Sequence, residues 1–396
     1  MNYKMFRRHR HIHQTCVNCI QVCNMVLKYI LLVAINVICI TAVCEKDYHQ
    51  TIEWVGGPFE WSDKSVQSLF KSTGRYTNKN IIGLKAQCYG DWAYVAMPRL
   101  RSGNPVTLAQ VSLKPTGTDA ILKPFPCWIS QEEQNCQALQ SVVDVYVDVQ
   151  GVLWALDVGV CNVLEKTPVR HCPPKVVAYS LKTGKLLKTI DLSGLVSQGS
   201  RLQYIACEYP KDQKPIIYVS DGATRSILVY DVLGNKGYRV VLPQAVSQGC
   251  TKRDVLYISL VRKGCGNNYI IFTYLGGKRM FSIRTDYLRS GSANGRIVDL
   301  GVKKDRLVML GTDLGSAAFF RYEGSPEIYR WDTNTCFKPE NFLVVYKSDP
   351  CFLVTQVMAD VKHQQMRVLE SNFGDYVQHT VGCGATQQIN VMSGKA

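Results

Sequence analysis

The stretch from Val142 to Val160 constrains this chain more than any other: Val143, Val145, Val147 and Val149 alternate with Asp144, Tyr146 and Asp148. A period of two belongs to a strand with one buried face. Gln150-Gly151 supplies a tight turn, and the run from Val152 to Leu156 is apolar throughout, as in a strand covered on both sides. A third strand is expected from Lys175 to Leu181, a reversal at Lys182 to Lys185, and a fourth strand from Leu186 to Leu192. Four consecutive antiparallel strands in about fifty residues make one propeller blade.

The pattern recurs loosely. With the aromatic or branched residue of the buried second strand as marker, it appears at Tyr94, Trp154, Tyr218, Phe272, Val308 and Val368, at spacings of 60, 64, 54, 36 and 60 residues. One blade cannot bury both of its faces, so such repeats imply a ring. The fold expected is an all-β, six-bladed β-propeller of four-stranded antiparallel blades, although the 36-residue interval is short for one blade. A pair of β-sandwiches is the competing arrangement. No Pro-, Gly- or Ser-rich linker divides residues 50 to 385, so residues 45–396 read as one domain. Thr51 to Val55 is the candidate strand for closing the ring, since an open ring would expose a long edge. The segment beyond Cys383, with Gln387, Gln388 and Ser393, reads as a frayed tail.

Residues 1–44 stand apart. Lys4, Arg7, Arg8 and Arg10 form a basic segment, Tyr29 to Cys44 is apolar except for Asn36 and Thr41, and Ala42 and Cys44 suit a cleavage site before Glu45. That is the pattern of a secretory signal peptide; the rival is an uncleaved signal anchor. Either places the propeller in the lumen or outside the cell, and the expectation is a secreted protein with no stable membrane association. Eleven of the 16 cysteines follow the leader, a number suited to an oxidising compartment, and an odd count leaves at least one unpaired within the chain. Cys136 and Cys172 flank the first two strands of the clearest blade and are candidates for a disulfide; spacing leaves the other pairings open. His9, His11 and His13 followed by Cys16, Cys19 and Cys23 imitate zinc-ligand spacing, but they lie in the segment marked for removal, so no metal is expected there.

The net charge of +15 falls to +10 without the five leader cations. A basic secreted protein is drawn to acidic surfaces, but these cations are dispersed rather than clustered with aromatics, and nucleic acid is not expected as a partner. No H-E-x-x-H, G-x-S-x-G or phosphate-binding Gly-rich loop is present, and no N-x-[ST] sequon. No cofactor and no catalytic residue are assigned. Four histidines follow the leader: His49, His171, His363 and His379; the last two fall near last-blade strand ends, within possible reach of a central channel. Asp148, Asp157, Asp221, Asp313 and Asp360, near strand ends, are either turn formers or oxygen ligands converging on the channel.

Several segments are similar to a known family. Ala93 to Arg99 and Gly103-Asn-Pro-Val-Thr-Leu108 resemble its strand, Val-Pro-Arg-type turn and Gly-x-Pro-x-Thr-Leu segment. Pro124-Phe-Pro-Cys-Trp128 resembles its Pro-Tyr-Pro-x-Trp, and Asp148 to Gly159 its Asp-x-x-Gly-x-Leu-Trp-x-Leu-Asp-x-Gly. This is the yellow/major royal jelly family of insects, and the likeness runs from about Glu53 to about Phe373; it looks closest to the eggshell-associated yellow-g branch. The resemblance implies a secreted six-bladed propeller and supports a bridge between Cys136 and Cys172. It further implies a role in cuticle or eggshell pigmentation, hardening or crosslinking, without strong catalysis. Extracellular matrix or eggshell proteins and catecholamine-derived small molecules are the implied partners. The alternatives are dopachrome conversion and binding of biogenic amines in the channel.

Overall fold

The computed structural model describes residues 51–392, apart from 115–118, 211–213 and 265. The leader, His49 and the histidine–cysteine group lie outside the described residues.

Six four-stranded antiparallel sheets succeed one another as blades. Blade 1 comprises Lys85–Tyr89, Trp92–Ala96, Leu108–Ser112 and Lys123–Pro124. Blade 2 comprises Val142–Val147, Val152–Asp157, Lys175–Ser180 and Leu186–Asp191. Blade 3 runs from Leu202–Glu208 to Lys236–Val241, blade 4 from Leu256–Arg262 to Val298–Val302, and blade 5 from Leu307–Thr312 to Phe342–Lys347. Blade 6 takes Leu353–Asp360, Gln365–Ser371 and Thr386–Val391 from the end of the chain and Ile52–Val55 from before blade 1. The ring is therefore closed by Ile52 opposite Ile389 and Trp54 opposite Gln387, as the Thr51–Val55 reading requires.

The core is divided among the seams. One apolar cluster fills each gap between neighbouring blades; Trp54, Ile81, Val95, Leu369 and Ile389, for example, join blade 6 to blade 1. Each middle strand can be apolar on both sides because each side faces a different seam. The Val152–Asp157 strand puts Trp154 and Leu156 into the seam with blade 3, and Leu153 and Ala155 into the seam with blade 1.

Two expectations need correction. As far as Met392 the segment after Cys383 is not frayed: Thr386–Val391 pairs on both sides, and its glutamines are buried, while Ser393 lies outside the described residues. Gln387 accepts from the Gly83 amide and donates to the Gly56 carbonyl, tying blades 6 and 1 across the closure, so polarity here marks a buried hydrogen-bonding role. Val308 is not a second-strand marker. It lies on the innermost strand of blade 5, and the equivalent residue is Phe320 on Ala317–Tyr322. With Phe320 the last two intervals are 48 residues each, and the short interval disappears. Blade 2 alone carries an added hairpin among the described residues, Val160–Cys161 paired with Val169–Arg170, between its second and third strands.

Candidate functional site

The first strand of every blade lies innermost, and these six strands touch their neighbours around a closed ring. Four of them are irregular, three near the end at which they begin and that of blade 5 further along. Register slips occur at Val142/Asp144, Leu202/Ile205, Met309/Gly311 and Val354/Gln356. A bulge turns a side chain that strict alternation would place in a seam and frees backbone groups from the ladder. Neighbouring blades take up those groups. Asp144 of blade 2 accepts from the Ile205 amide of blade 3 at 2.9 Å and Arg321 of blade 5 donates to the Val354 carbonyl of blade 6 at 3.0 Å; within blade 3 itself, Ser220 accepts from the Tyr204 amide at 3.1 Å. At Gly311, whose φ is +149°, a Cβ would lie 2.1 Å from the Val357 carbonyl oxygen; only glycine lets blades 5 and 6 approach this closely.

The space enclosed is small, about 50 Å³, and is lined from all six innermost strands by residues including Lys85, Asp144, Tyr204 and Gln356. That is room for one or two waters, against the several hundred Å³ typical of a ligand pocket. Lys85 donates to the Thr355 carbonyl at 3.0 Å and to Gln356 Oε1 at 2.9 Å, and its ammonium sits 4.9 Å from the centroid of the Tyr204 ring. Burial lowers the Lys85 ammonium to about 8, against a partial upward pull from Asp144. Burial raises the Asp144 carboxyl to about 6, against the downward pull of Lys85 and of the Ile205 and Val145 amides. Burial also drives the Tyr204 hydroxyl well above its ordinary range, and its ring lies 5.0 Å from that of Tyr257. The channel thus holds a carboxyl and an amine that titrate on either side of neutrality. Neither was singled out by the sequence: Asp144 reads as the polar half of an alternating strand and is turned inward by the slip at Val142/Asp144, while Lys85 opens a strand of regular register.

The five strand-end aspartates are elsewhere, in turns and seams. Asp148 accepts from the Gln150 and Val152 amides, and Asp313 from Gly315 and Ala317, each pinning a hairpin turn. Asp157 accepts from Gln140 and Ser141, and Asp221 from Arg201, so each holds the approach to an innermost strand. Asp360 is engaged by Arg367 and by His363, 2.8 Å away. None of these aspartates lines the central cavity, and among the described residues no three His, Cys, Asp or Glu side chains form a metal-binding group. His363 sits in a hairpin with its other ring nitrogen 3.4 Å from Asp91, His379 meets Asn80 at 3.2 Å, and neither borders the cavity. His171 is a loop residue whose amide donates to the Gly159 carbonyl.

Beside the channel, the seam from blade 1 to blade 2 is bound by polar groups. Arg99, only 2% exposed, donates to the carbonyls of Asn104, Pro105, Gln131, Leu139 and Gln140. Cys136 and Cys172 are joined in a disulfide that closes a 36-residue separation. Lys175 reinforces it, donating to the Cys136 and Ala138 carbonyls at 2.8 and 2.7 Å with Asp157 at 3.3 Å. Among the motif residues, Arg99, Asn104, Pro105, Thr107 and Leu108 help build this seam, whereas Met97 and Val106 pack between blades 6 and 1.

Comparison with known proteins agrees with this arrangement. A dopaminechrome tautomerase of Drosophila melanogaster is 29% identical over 48% of this chain and 42% of its own length. Major royal jelly protein 8 of Apis mellifera is 21% identical over 54% of each chain. Protein yellow of Drosophila melanogaster is 24% identical over 47% of this chain and 35% of its own length. The alignments thus span about half, or less, of these relatives. The major royal jelly protein family profile matches residues 140–392, which run from the start of blade 2 to the closing strand. With its six-bladed ring and a match over more than half its length, the chain belongs to the yellow/major royal jelly protein family.

Proposed function

We propose that this yellow-like propeller is secreted into an insect cuticle or eggshell, where it is retained by charge and joined to the matrix by catechol-derived quinones. The observation that carries the reading is a set of four exposed thiols outside any disulfide, Cys127, Cys336, Cys351 and Cys383, on a basic chain. A thiolate adds to the ring of an ortho-quinone, the thiol proton passes to a ring oxygen, and the product is a catechol thioether. No other reagent is required, and reoxidation of that catechol by further quinone permits a second addition from a neighbouring protein. The buried thiols are unsuited to this chemistry: burial raises Cys161 to about 11 and drives Cys88 and Cys207 higher still.

Treating the purified protein with enzymatically oxidised N-acetyldopamine should give catechol adducts on Cys127, Cys336, Cys351 and Cys383 before any buried cysteine, together with covalent oligomers. Antibody staining should place the protein in cuticle or chorion. Absence of adducts, or staining confined to the cell interior, would reject the reading.

A second reading, dopachrome conversion, is favoured by Lys85 and Asp144, with pKa values of about 8 and 6 beside one cavity. It gains weight from the relative named for dopaminechrome tautomerase. Asp144 as carboxylate would take a proton from carbon and Lys85 as ammonium would return one, a division of labour suited to pH 6 to 8. The 50 Å³ cavity would have to widen first, so little acceleration over buffer is expected. A saturable rate lost in both Lys85→Met and Asp144→Asn, with the fold retained, would establish this second reading.

A further inference from the structure

A large apolar recess lies at the end of the ring where the innermost strands of blades 2, 3 and 4 begin. It encloses about 840 Å³, within the range of small-molecule sites. Its walls are Val143, Val158, Val160, Val196, Leu202 and Val255. The added hairpin of blade 2 forms one side, so this departure from the four-strand plan creates the recess. Tyr204 borders both the recess and the 50 Å³ channel cavity and forms the partition between them.

The polar groups around the recess are unequal. Gln203 is occupied by the Leu256 amide, Ser200 by the Ser197 amide, and Glu165 by the amide and hydroxyl of Ser102. Lys166, Arg170, Arg201 and Arg253 remain on the rim, all exposed. Arg170 donates to the Val158 carbonyl and Arg201 to the Arg253 carbonyl, and among the described residues none of the four pairs with a carboxylate. Four cations, with the nearby carboxylate tied elsewhere, surround an apolar hollow.

We propose that this recess binds an amphipathic organic anion, its apolar body against the valine walls and its carboxylate or sulfonate at the Arg170–Arg201 rim. Charge complementarity selects the anion, because an amine of the same shape would meet four like charges. The apolar walls exclude small inorganic anions as sufficient ligands, since most of the buried surface would gain nothing from them. The site is separate from the channel, and the inference stands independently of the matrix reading.

Decanoate, decanol and decylammonium, titrated by calorimetry into the full secreted protein below their aggregation concentrations, would test this. Decanoate should bind saturably with one site, decanol more weakly and decylammonium least. Arg170→Glu combined with Arg201→Glu should weaken decanoate at least about tenfold, as loss of a charge-assisted contact implies, and leave decanol unchanged. Val196→Trp, which fills the hollow, should abolish binding of both. Both arginines are exposed, so the double variant should fold; circular dichroism checks this, and Lys166→Glu supplies a milder charge change. Decylammonium binding as tightly as decanoate, no saturable decanoate binding to folded protein, or full binding to the Val196→Trp variant would each overturn the proposal.

Discussion

Arg99 and Lys85 are both cations withdrawn from bulk water, one on each margin of the second blade's inner strand, yet their surroundings differ in kind. Arg99 spends its donors on five carbonyls from three loops. Its planar fork meets a cage of carbonyls with the Glu133 carboxylate 3.9 Å away, and the guanidinium remains charged at any physiological pH. Lys85 has a carbonyl and an amide oxygen, an aromatic face and a carboxylate that is itself half inclined to keep its proton. The first arrangement is a rivet. The second can change charge, because burial outweighs the attraction of Asp144 and brings the ammonium down to about 8.

The contrast is broken most directly at Arg99. Arg99→Met removes the donor to five buried carbonyls at once and should cost about 3–5 kcal/mol, the scale seen when a buried charged network loses a member. Urea unfolding of the purified variant would measure it; a loss below about 1 kcal/mol would show that water replaces the guanidinium freely. Next in size is the bridge across the same seam. Replacing Cys136 and Cys172 together by Ser should lower stability by about 3–4 kcal/mol, the chain-entropy value for a loop of this length, read as a fall in denaturant midpoint with unchanged far-ultraviolet dichroism.

Lys85→Met should cost less, about 2 kcal/mol or under, because Asp144 can answer the loss of its cation by keeping its proton. The smallest effect is also the most diagnostic. The Lys85 ammonium is lowered in the folded state, so its charge opposes folding below about pH 8, and the opposition fades as pH rises from about 8 toward the unfolded value of 10.5. Wild type should therefore gain stability relative to Lys85→Met across that window. Asp144 acts in the opposite sense: its raised carboxyl favours the folded state in acid, a contribution lost as pH climbs through about 6. Thermal melts of wild type, Lys85→Met and Asp144→Asn at intervals from pH 4 to 10 would resolve both slopes, and flat difference curves would show that the channel is wetter than its packing implies.

The same contrast explains what could be read from the sequence. Blades were legible because their middle strands are apolar on both faces, as at Val152–Asp157, and because Asp148 and Gly151 mark a hairpin with local chemistry. The marker failed in blade 5, where Leu307–Thr312 is as apolar as the strand after it, so composition alone did not tell the inner strand from the second. Gln387 and Gln388 misled because their partners, at Gly56, Gly83 and Glu53, are some 300 residues away. Lys85 and Asp144 escaped notice for a related reason. The bulge beside Asp144 displaces its side chain without altering which residues are present, and Lys85 finds Thr355 and Gln356 some 270 residues away, so only the assembled ring brings the two charges to the channel.

Closure of that ring also sets a schedule for folding. Ile52–Val55 is made first during synthesis, and its partner Thr386–Val391 is made last. Until then the early strand has no ladder to join, and Trp54 has no seam to fill. Blades 1 to 5 can form in sequence as they emerge, each lending a face to the next. The final step must bring together segments separated by nearly the whole chain, the kind of non-local pairing that slows folding. A nascent molecule therefore spends its synthesis as an unclosed arc with an aromatic residue unsheltered at one end. In that interval, rather than in the finished ring, the protein is most exposed to chaperones, to proteases and to mispairing of its many thiols.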